Sequence, residues 1–497
     1  MHQLTKTDFI QYLNCPKSLW LLKNKPEDFP KGEFSLFLEK LIKEGYEVEE
    51  YAQKLFPDAI KLPDFGSSEL TKQEIDKGKT QLFQATFETQ KGVFARIDIL
   101  EKKEDDTWHI YEVKSSTSVK KDKKHNHLKD ACFQKHAMIE NGYEVSQVSI
   151  IHLNKDYVRQ GDINPHQLLE IEDVTEQIND LYSSVVNQIN SAVTYINKES
   201  ISLNTCTCRE DTRSNHCDSF KYFNPDIPDY SIYEIGRISA KKVMELTNQD
   251  ILSISDIPSD YSLNDKQQLQ VESVRQNQPI IDHKEIKNKI SSLEFPLHFI
   301  DYETYASAIP RIDGVKPHQH IPFQVSIHSM QHDGSIEHFE YLAHELELPN
   351  KLNQFMETST GKTGTFVSWH ASFEMSRNKD MIEMLPQYEE YLSYMNNNMF
   401  DLEDVFKTDY VDYRFHGSTS IKKVLPVLLP ELSYDDLDVQ NGTMALDLWG
   451  RMVMDNDFDE NKEEVRKNLL AYCELDTLAM VELYKKLNNI CIYLKYH

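Results

Sequence analysis

The sequence has no run of eighteen apolar residues, and its first stretch, "MHQLTKTDFIQYLN", has no basic segment followed by an apolar one. A membrane-spanning helix and a secretory leader are therefore not expected, and a cytoplasmic location is. Cysteine is scarce, with seven in 497 residues. That excludes a disulfide framework and leaves free thiols or metal ligation. Basic residues are outnumbered, 54 Lys and Arg against 81 Asp and Glu, for a formal charge of −27. Such a balance argues against broad, sequence-blind attraction to nucleic acid. It is compatible with metal-dependent phosphodiester chemistry, whose centre is itself acidic and whose groove need only be locally basic. Internal repeats and low-complexity tracts are missing too. At this length a single core cannot serve the whole chain, so two or three domains are expected.

What is present alternates between helical and extended signals. "TKTDFIQYLNCPKSLWLLK" reads as a helix interrupted near Pro16, and "FSLFLEKLIKEGYEVEEYAQKLF" has helical period. "GVFARIDILEK", "EDDT" and "WHIYEVKSS" read as strand, turn and strand; "HLKDACFQKHAMIENG" is a helix closed by Gly142, followed by the strand "SQVSIIHLN". Residues 221–290 are polar, punctuated by proline and mostly helical. A second α/β region opens near Ser291 with "LEFPLHFIDYET", continues through "FQVSIHSM" and "GTFVSWHAS", and ends on the helix "VRKNLLAYCELDTLAMVELYKKL".

In "LHFIDYET" two carboxylates, Asp301 and Glu303, stand two apart on an apolar strand and so share one face. Converging like charges are costly unless a cation sits between them. Glu374 follows a later strand, and Tyr472 and Asp476 lie at i and i+4 on the last helix. This ordered set resembles the DEDD class of RNase H-like 3′–5′ exonucleases, in the variant with a tyrosine in its third motif. The resemblance implies a site for two divalent ions, magnesium or manganese, on Asp301, Glu303, Glu374 and Asp476, with Tyr472 orienting water. The sequence departs from the common pattern at Glu374, where aspartate is usual, and at His370, where asparagine is. "FDLEDVF", "HGSTSIKKVLPVL" and "LSYDDLDVQNGTMA" extend the likeness, over roughly 291–490, to an uncharacterised bacterial branch of these nucleases. "SIKK" reads as a helix start whose lysines face solvent or a phosphate backbone.

"RIDIL" and "YEVKSS" place Asp98 on one strand and Glu112 and Lys114 on the next, where a hairpin brings them together. This looks like the PD-(D/E)XK nuclease core of the RecB-like branch. It implies metal on Asp98 and Glu112, with Lys114 polarising the attacked phosphate. Gln134 resembles that branch's helix glutamine, Met138 stands where its tyrosine would be, and Glu49 falls where its first-motif ligand would. The basic run 120–124, "KKDKK", reads as a phosphate contact or a solvated loop.

Cys15 in "NCPKSLWL" and Cys206, Cys208 and Cys217 in "CTCREDTRSNHC" bracket this region. The arrangement resembles RecB-like nucleases in which four thiolates hold a [4Fe–4S] cluster. The C-x-C spacing is tighter than expected there and leaves zinc as the alternative. Cys132, Cys473 and Cys491 lie in apolar helices and read as core, and His318 and His320 as a loop.

The expected architecture is two mixed-sheet α/β domains, restriction-endonuclease-like over 1–220 and RNase H-like over 291–497, joined by the helical region 221–290. The expected activity is metal-dependent hydrolysis of DNA or RNA, single-stranded or with a free end. By analogy it belongs to repair, recombination or defence against foreign nucleic acid. The rival reading is a nucleic-acid-binding or interaction scaffold with one or both sites degenerate.

Overall fold

Two mixed sheets, one of seven strands and one of five, organise the chain. The structure, a computed structural model, describes residues 1–30, 32, 36–63, 66–122 and 126–493, with side chains to 490. The chain divides into two units, Met1–Ile227 with Ala308–Pro317, and Pro228–Ser307 with His318–His497. Both are mixed α/β. The expected connecting region thus splits at Ile227, and most of it, including the helices Ala240–Thr247 and Asp265–Gln276, lies in the second unit. Among the described residues no helix is long and apolar enough to cross a membrane.

In the first unit β1 (Leu4–Thr5), β2 (Ile60–Lys61), β3 (Gln81–Glu88), β4 (Val93–Lys102), β5 (Trp108–Lys114), β6 (Val145–Leu153) and β7 (Leu169–Asp173) form one sheet. Its order is β2–β3–β4–β5–β6–β7, with β1 beside β4. β3, β4 and β5 make an antiparallel meander, and β6 runs parallel to β5 after the helix His127–Glu140. One core, including Ala85, Ile97 and Ile110, packs under that helix and under Thr175–Ile196. The other, including Phe83, Ile99 and Tyr111, packs against Val48 and Ala52 of helix Leu36–Gln53 and against Ala308 and Ile309. Strand alternation breaks at one rung. Phe83 and Ile99 face one core, Ala85 and Ile97 the other, and the rung between them is Gln84 and Asp98. Gln84 has φ +59°, a left-handed conformation uncommon for a residue with a side chain.

The segment Ala308–Pro317 is fastened within this unit. Arg311 pairs with Glu47 through two bonds of 2.5 and 2.6 Å. Arg159 donates to the carbonyls of Pro310 and Arg311.

The second unit holds a small antiparallel pair, β8 (Ile280–Ile281) with β14 (Tyr410–Val411), and the five-stranded sheet. The latter comprises β9 (Leu297–Tyr305), β10 (Ile321–Met330), β11 (Ile336–Leu342), β12 (Thr365–Ser368) and β13 (Met399–Asp401) in the order β11–β10–β9–β12–β13. β9 is central, antiparallel to β10 and parallel to β12. Its alternate residues serve different cores. Leu297, Phe299 and Tyr305 pack with Trp449 of helix Gly442–Met454 and with Leu469 and Leu483 of helix Lys462–Tyr493. Ile300 and Tyr302 pack with Met356, Met381 and Tyr391. Asp301 and Glu303 share the parity of the first set, so they face the two long helices.

Gly364 leads into β12 at φ +67°, and a Cβ there would stand 1.9 Å from the carbonyl oxygen of Pro296. Gly364→Ala meets both a disfavoured backbone conformation and a rigid neighbour. It should destabilise the protein by about 2–4 kcal/mol, measured as a lower denaturant midpoint at unchanged m-value.

Candidate metal centres

The β9 carboxylates meet a third from the last helix. Ligand oxygens of Asp301, Glu303 and Asp476 lie within 4.8 Å of one another. The helix Lys462–Tyr493 brings Tyr472 and Asp476 to the same face, one turn apart. Glu303 and Asp476 are buried. Burial pushes Glu303 up to about 8, with the Asp476 charge adding to it. It lifts Asp476 to about 6, and Asp301 well above the carboxylate range with Asp476, Glu374 and Glu303 all repelling it. Glu374, in the first turn of helix Ser372–Met384, is pushed by burial to about 7. Its Oε2 is buried with no hydrogen-bond partner among the described residues. Asp301, Glu303 and Asp476 form a hard-oxygen donor set that fits magnesium or manganese; Glu374 acts on Asp301 by its charge but lies outside that group.

Three further groups line this centre. Lys422 lies 5.1 Å from the ring centroids of both Tyr434 and Tyr472, and its Nζ donates to the Tyr472 hydroxyl at 3.3 Å. Tyr434 donates to Asp476 Oδ1 at 2.5 Å. The Cys473 thiol contacts the Asp301 carboxylate at 3.7 Å. None of the three was assigned to the site from sequence. Lys422 belongs to "SIKK", read as facing solvent or phosphate, and Cys473 is buried as expected but against an acid. Gly442 makes room, since a Cβ there would stand 3.2 Å from Glu303 Oε2. His370, at φ +66°, accepts no metal role here. Its amide donates to Asp401 and its Nδ1 lies 3.1 Å from Glu403.

A domain of unknown function, DUF2779, matches residues 298–420. The match takes in Asp301, Glu303 and Glu374 and stops short of Tyr472 and Asp476. The chain is also 32% identical over 130 residues to a Mycoplasma pneumoniae protein named "Uncharacterized protein MG366 homolog". That similarity covers 24% of this chain and 19% of the other, so the chain spans about a fifth of the length of the curated relative it matches. Neither name states an activity.

In the first unit Asp98 on β4 and Glu112 and Lys114 on β5 also meet. The β4–β5 ladder ends at Ile99 and Tyr111, and beyond it the Val113 amide donates to Asp98 Oδ2 at 2.9 Å. Glu112 is almost wholly buried and saturated. Lys6 and Lys114 approach its Oε1 at 2.5 and 2.8 Å, and Gln134 donates to its Oε2. Burial would raise Glu112, but the two ammonium groups outweigh it and hold the acid below its ordinary range. Asp98 goes the other way, to about 8, through burial and the Glu112 charge. Lys114 is shared with Asp130 at 2.6 Å. Glu49 receives hydrogen bonds from Gln84 and from Gln53 and lines an adjacent cleft of about 480 Å³ with Tyr46, Lys61 and Arg96. Met138 is core. Of the run 120–124, residues 123 and 124 lie outside the described residues.

The sulfurs of Cys15, Cys206, Cys208 and Cys217 lie within 4.8 Å of one another and could hold a metal. Cys15 sits at the break between the helices Lys6–Asn14 and Pro16–Asn24. The chain ends around it are already tied. Lys17 donates to the carbonyls of Asn204 and Thr205, and Trp20 to that of Lys198. Hydrogen bonding among the four thiols holds Cys206 and Cys208 below the usual thiol range and Cys15 and Cys217 above it. Cys132 is core, with its thiol toward the Ile178 carbonyl; the Cys491 side chain lies outside the described residues. His320 bonds Thr304, and neither it nor His318 belongs to a metal-ligating group among the described residues.

Repulsion among Asp301, Glu303 and Asp476 costs stability until a cation enters. Asp476→Asn removes one charge and keeps an acceptor for Tyr434. It should stabilise the metal-free protein by about 1–2 kcal/mol, and the rise in melting temperature that Mn²⁺ or Mg²⁺ gives the parent should vanish.

Proposed function

We propose that this protein is a metal-dependent nuclease that hydrolyses phosphodiester bonds of DNA or RNA. The observation that carries the reading is the gathering of Asp301, Glu303 and Asp476, with Glu374, whose Oε2 has no hydrogen-bond partner among the described residues, acting on Asp301 by its charge. Bound there, divalent ions would supply an activated water and stabilise the leaving oxygen. The chain's own contributions are specific. Tyr472, held by Lys422, sits where it can orient a water by its hydroxyl. The Lys422 ammonium offers a phosphate the cationic partner that the net charge of the chain does not. The ordered motif set supports 3′–5′ trimming of a free end, by resemblance to DEDD exonucleases.

For the first unit the convergence of Asp98, Glu112 and Lys114 supports a RecB-like site. One observation favours a second reading, in which this unit binds nucleic acid without cutting it. Lys6 and Lys114 already neutralise Glu112, so a metal must displace an internal cation to gain that oxygen. For the cysteines, the resemblance implies a [4Fe–4S] cluster. The spacing of the sulfurs is closer to a single zinc, whose thiolates stand about 3.8 Å apart for Zn–S bonds of about 2.3 Å in a tetrahedron. Either metal would close a loop of roughly 190 residues, worth on the order of 5 kcal/mol in the chain-entropy model.

End-labelled single- and double-stranded DNA and RNA, incubated with Mg²⁺ or Mn²⁺, test these assignments. Asp301→Ala should abolish stepwise end-trimming with the circular dichroism unchanged, and Tyr472→Phe should slow it more mildly. Trimming by Asp301→Ala at the parent rate would remove the exonuclease reading. Lys114→Ala should abolish any cleavage that survives Asp301→Ala; if nothing survives, the first unit is a binding module.

Cys15→Ser should release the metal and lower the melting temperature. Anaerobic protein that is brown, with broad absorption near 400 nm, would identify iron–sulfur, and colourless protein carrying zinc the alternative. Colourless protein with no bound metal, together with a Cys15→Ser variant as stable as the parent, would sink both.

A further inference from the structure

A further cluster lies in the second unit and shares no ligand with the carboxylate centre. His328 on β10 stands directly opposite His338 on β11, and their imidazoles stack with centroids 4.3 Å apart. Glu474, on the helix Lys462–Tyr493, brings its Oε1 to 3.7 Å from His338 Nδ1. One ligand atom from each of the three lies within 4.8 Å of the others.

One assignment of the hydroxyl protons gives every hydrogen bond around the cluster a donor and an acceptor. Thr477 Oγ1 donates to the Glu474 carbonyl at 3.1 Å. Toward its other neighbours it therefore accepts, from Ser326 Oγ at 2.7 Å and from His328 Nδ1 at 2.8 Å. Ser326, its proton committed to Thr477, accepts in turn from His338 Nε2 at 3.0 Å. One hydroxyl donates only one hydrogen, so this order satisfies every group. It places lone pairs on His328 Nε2 and His338 Nδ1. Metal-binding histidines are held in this way, the far nitrogen donating to an acceptor that fixes tautomer and ring orientation. His328 is buried, whereas Glu474 is about half exposed, so an ion has a way in.

We propose that His328, His338 and Glu474 form a transition-metal site, with zinc as its ion. Two imidazole nitrogens and one carboxylate oxygen are a zinc donor set with a fourth position left for water, and imidazole selects against magnesium and calcium. Its ligands come from two neighbouring strands and a helix, so the ion would clamp the β10–β11 hairpin to the helix that carries Tyr472 and Asp476. The assignment does not rest on the nuclease reading, because none of its three ligands belongs to the carboxylate centre.

Zinc binding by the full chain tests it. Protein stripped with EDTA is titrated with Zn²⁺ against a chromophoric chelator, in parallel for the parent, His338→Ala, Glu474→Gln, Thr477→Val and Cys15→Ser. His338→Ala and Glu474→Gln should each bind one equivalent fewer than the parent, while Cys15→Ser keeps that equivalent. Thr477→Val should retain the stoichiometry and bind about 10–100-fold more weakly, which simple loss of a ligand would not produce. Co²⁺ added to Cys15→Ser should give visible ligand-field bands that Glu474→Gln, made in the same background, lacks. If His338→Ala fails to fold, Glu474→Gln decides, since its side chain is polar, similar in size and half exposed. Parent-like zinc stoichiometry and affinity in Glu474→Gln would overturn the proposal.

Discussion

Like charges brought together out of water are the constraint around which the second unit is arranged. At an effective dielectric of about 20, two ionised carboxylates 4 Å apart would repel by roughly 4 kcal/mol, and ligand oxygens of Asp301, Glu303 and Asp476 lie within 4.8 Å of one another. The fold holds them there by rigid means. Strand alternation sets the first two, helical period sets the third, and the cores of Phe299, Trp449 and Leu469 lock strand to helices. The surroundings moderate the strain without removing it. Tyr434 donates to Asp476, Lys422 lends a positive field, and Gly442 withholds the Cβ that would crowd Glu303.

The first unit treats its acids in the opposite manner. Glu112 has its counter-charges built in, Lys6 and Lys114, and its second oxygen is taken by Gln134. The same residue types, two acids and a lysine near a strand end, thus yield one centre that could hold a metal ion and another that already contains two ammonium groups. Burial alone does not distinguish them, because both sets are largely removed from water. The number of ammonium groups within bonding distance does.

The parts of these sites that could be read from sequence are the local ones. Asp301 and Glu303 on one face, and Tyr472 one turn before Asp476, follow from periods of two and 3.6 residues. Lys6 was out of reach, since it meets Glu112 across 106 positions of chain. Cys473 is buried as its apolar helix implies, but its acidic neighbour was out of reach for a different reason. A buried thiol in an apolar helix looks like core whether its neighbour is a leucine or an aspartate. Lys422 sat in a string resembling an exposed helix start, and only the packing of Tyr434 and Tyr472 around it turns it inward. β3 is not among the strands read from the sequence, and its alternation between the two cores breaks at Gln84. The mixed α/β class and most elements were legible from hydrophobic period. The assignment of Ala308–Pro317 to the first unit was not, because it depends on contacts with residues far earlier in the chain.

That segment bears on how the molecule is made. A ribosome emits Ile227 and then some 80 further residues before Ala308 appears. At roughly 5–20 residues per second, the first unit waits about 4–16 s with the surface later covered by Ala308 and Ile309 still bare and with Glu47 lacking Arg311. Folding of the first unit therefore cannot finish in order of synthesis. Its completion is timed by the emergence of a loop between two strands of the second sheet, and a nascent chain stalled before residue 308 would present that apolar face to chaperones.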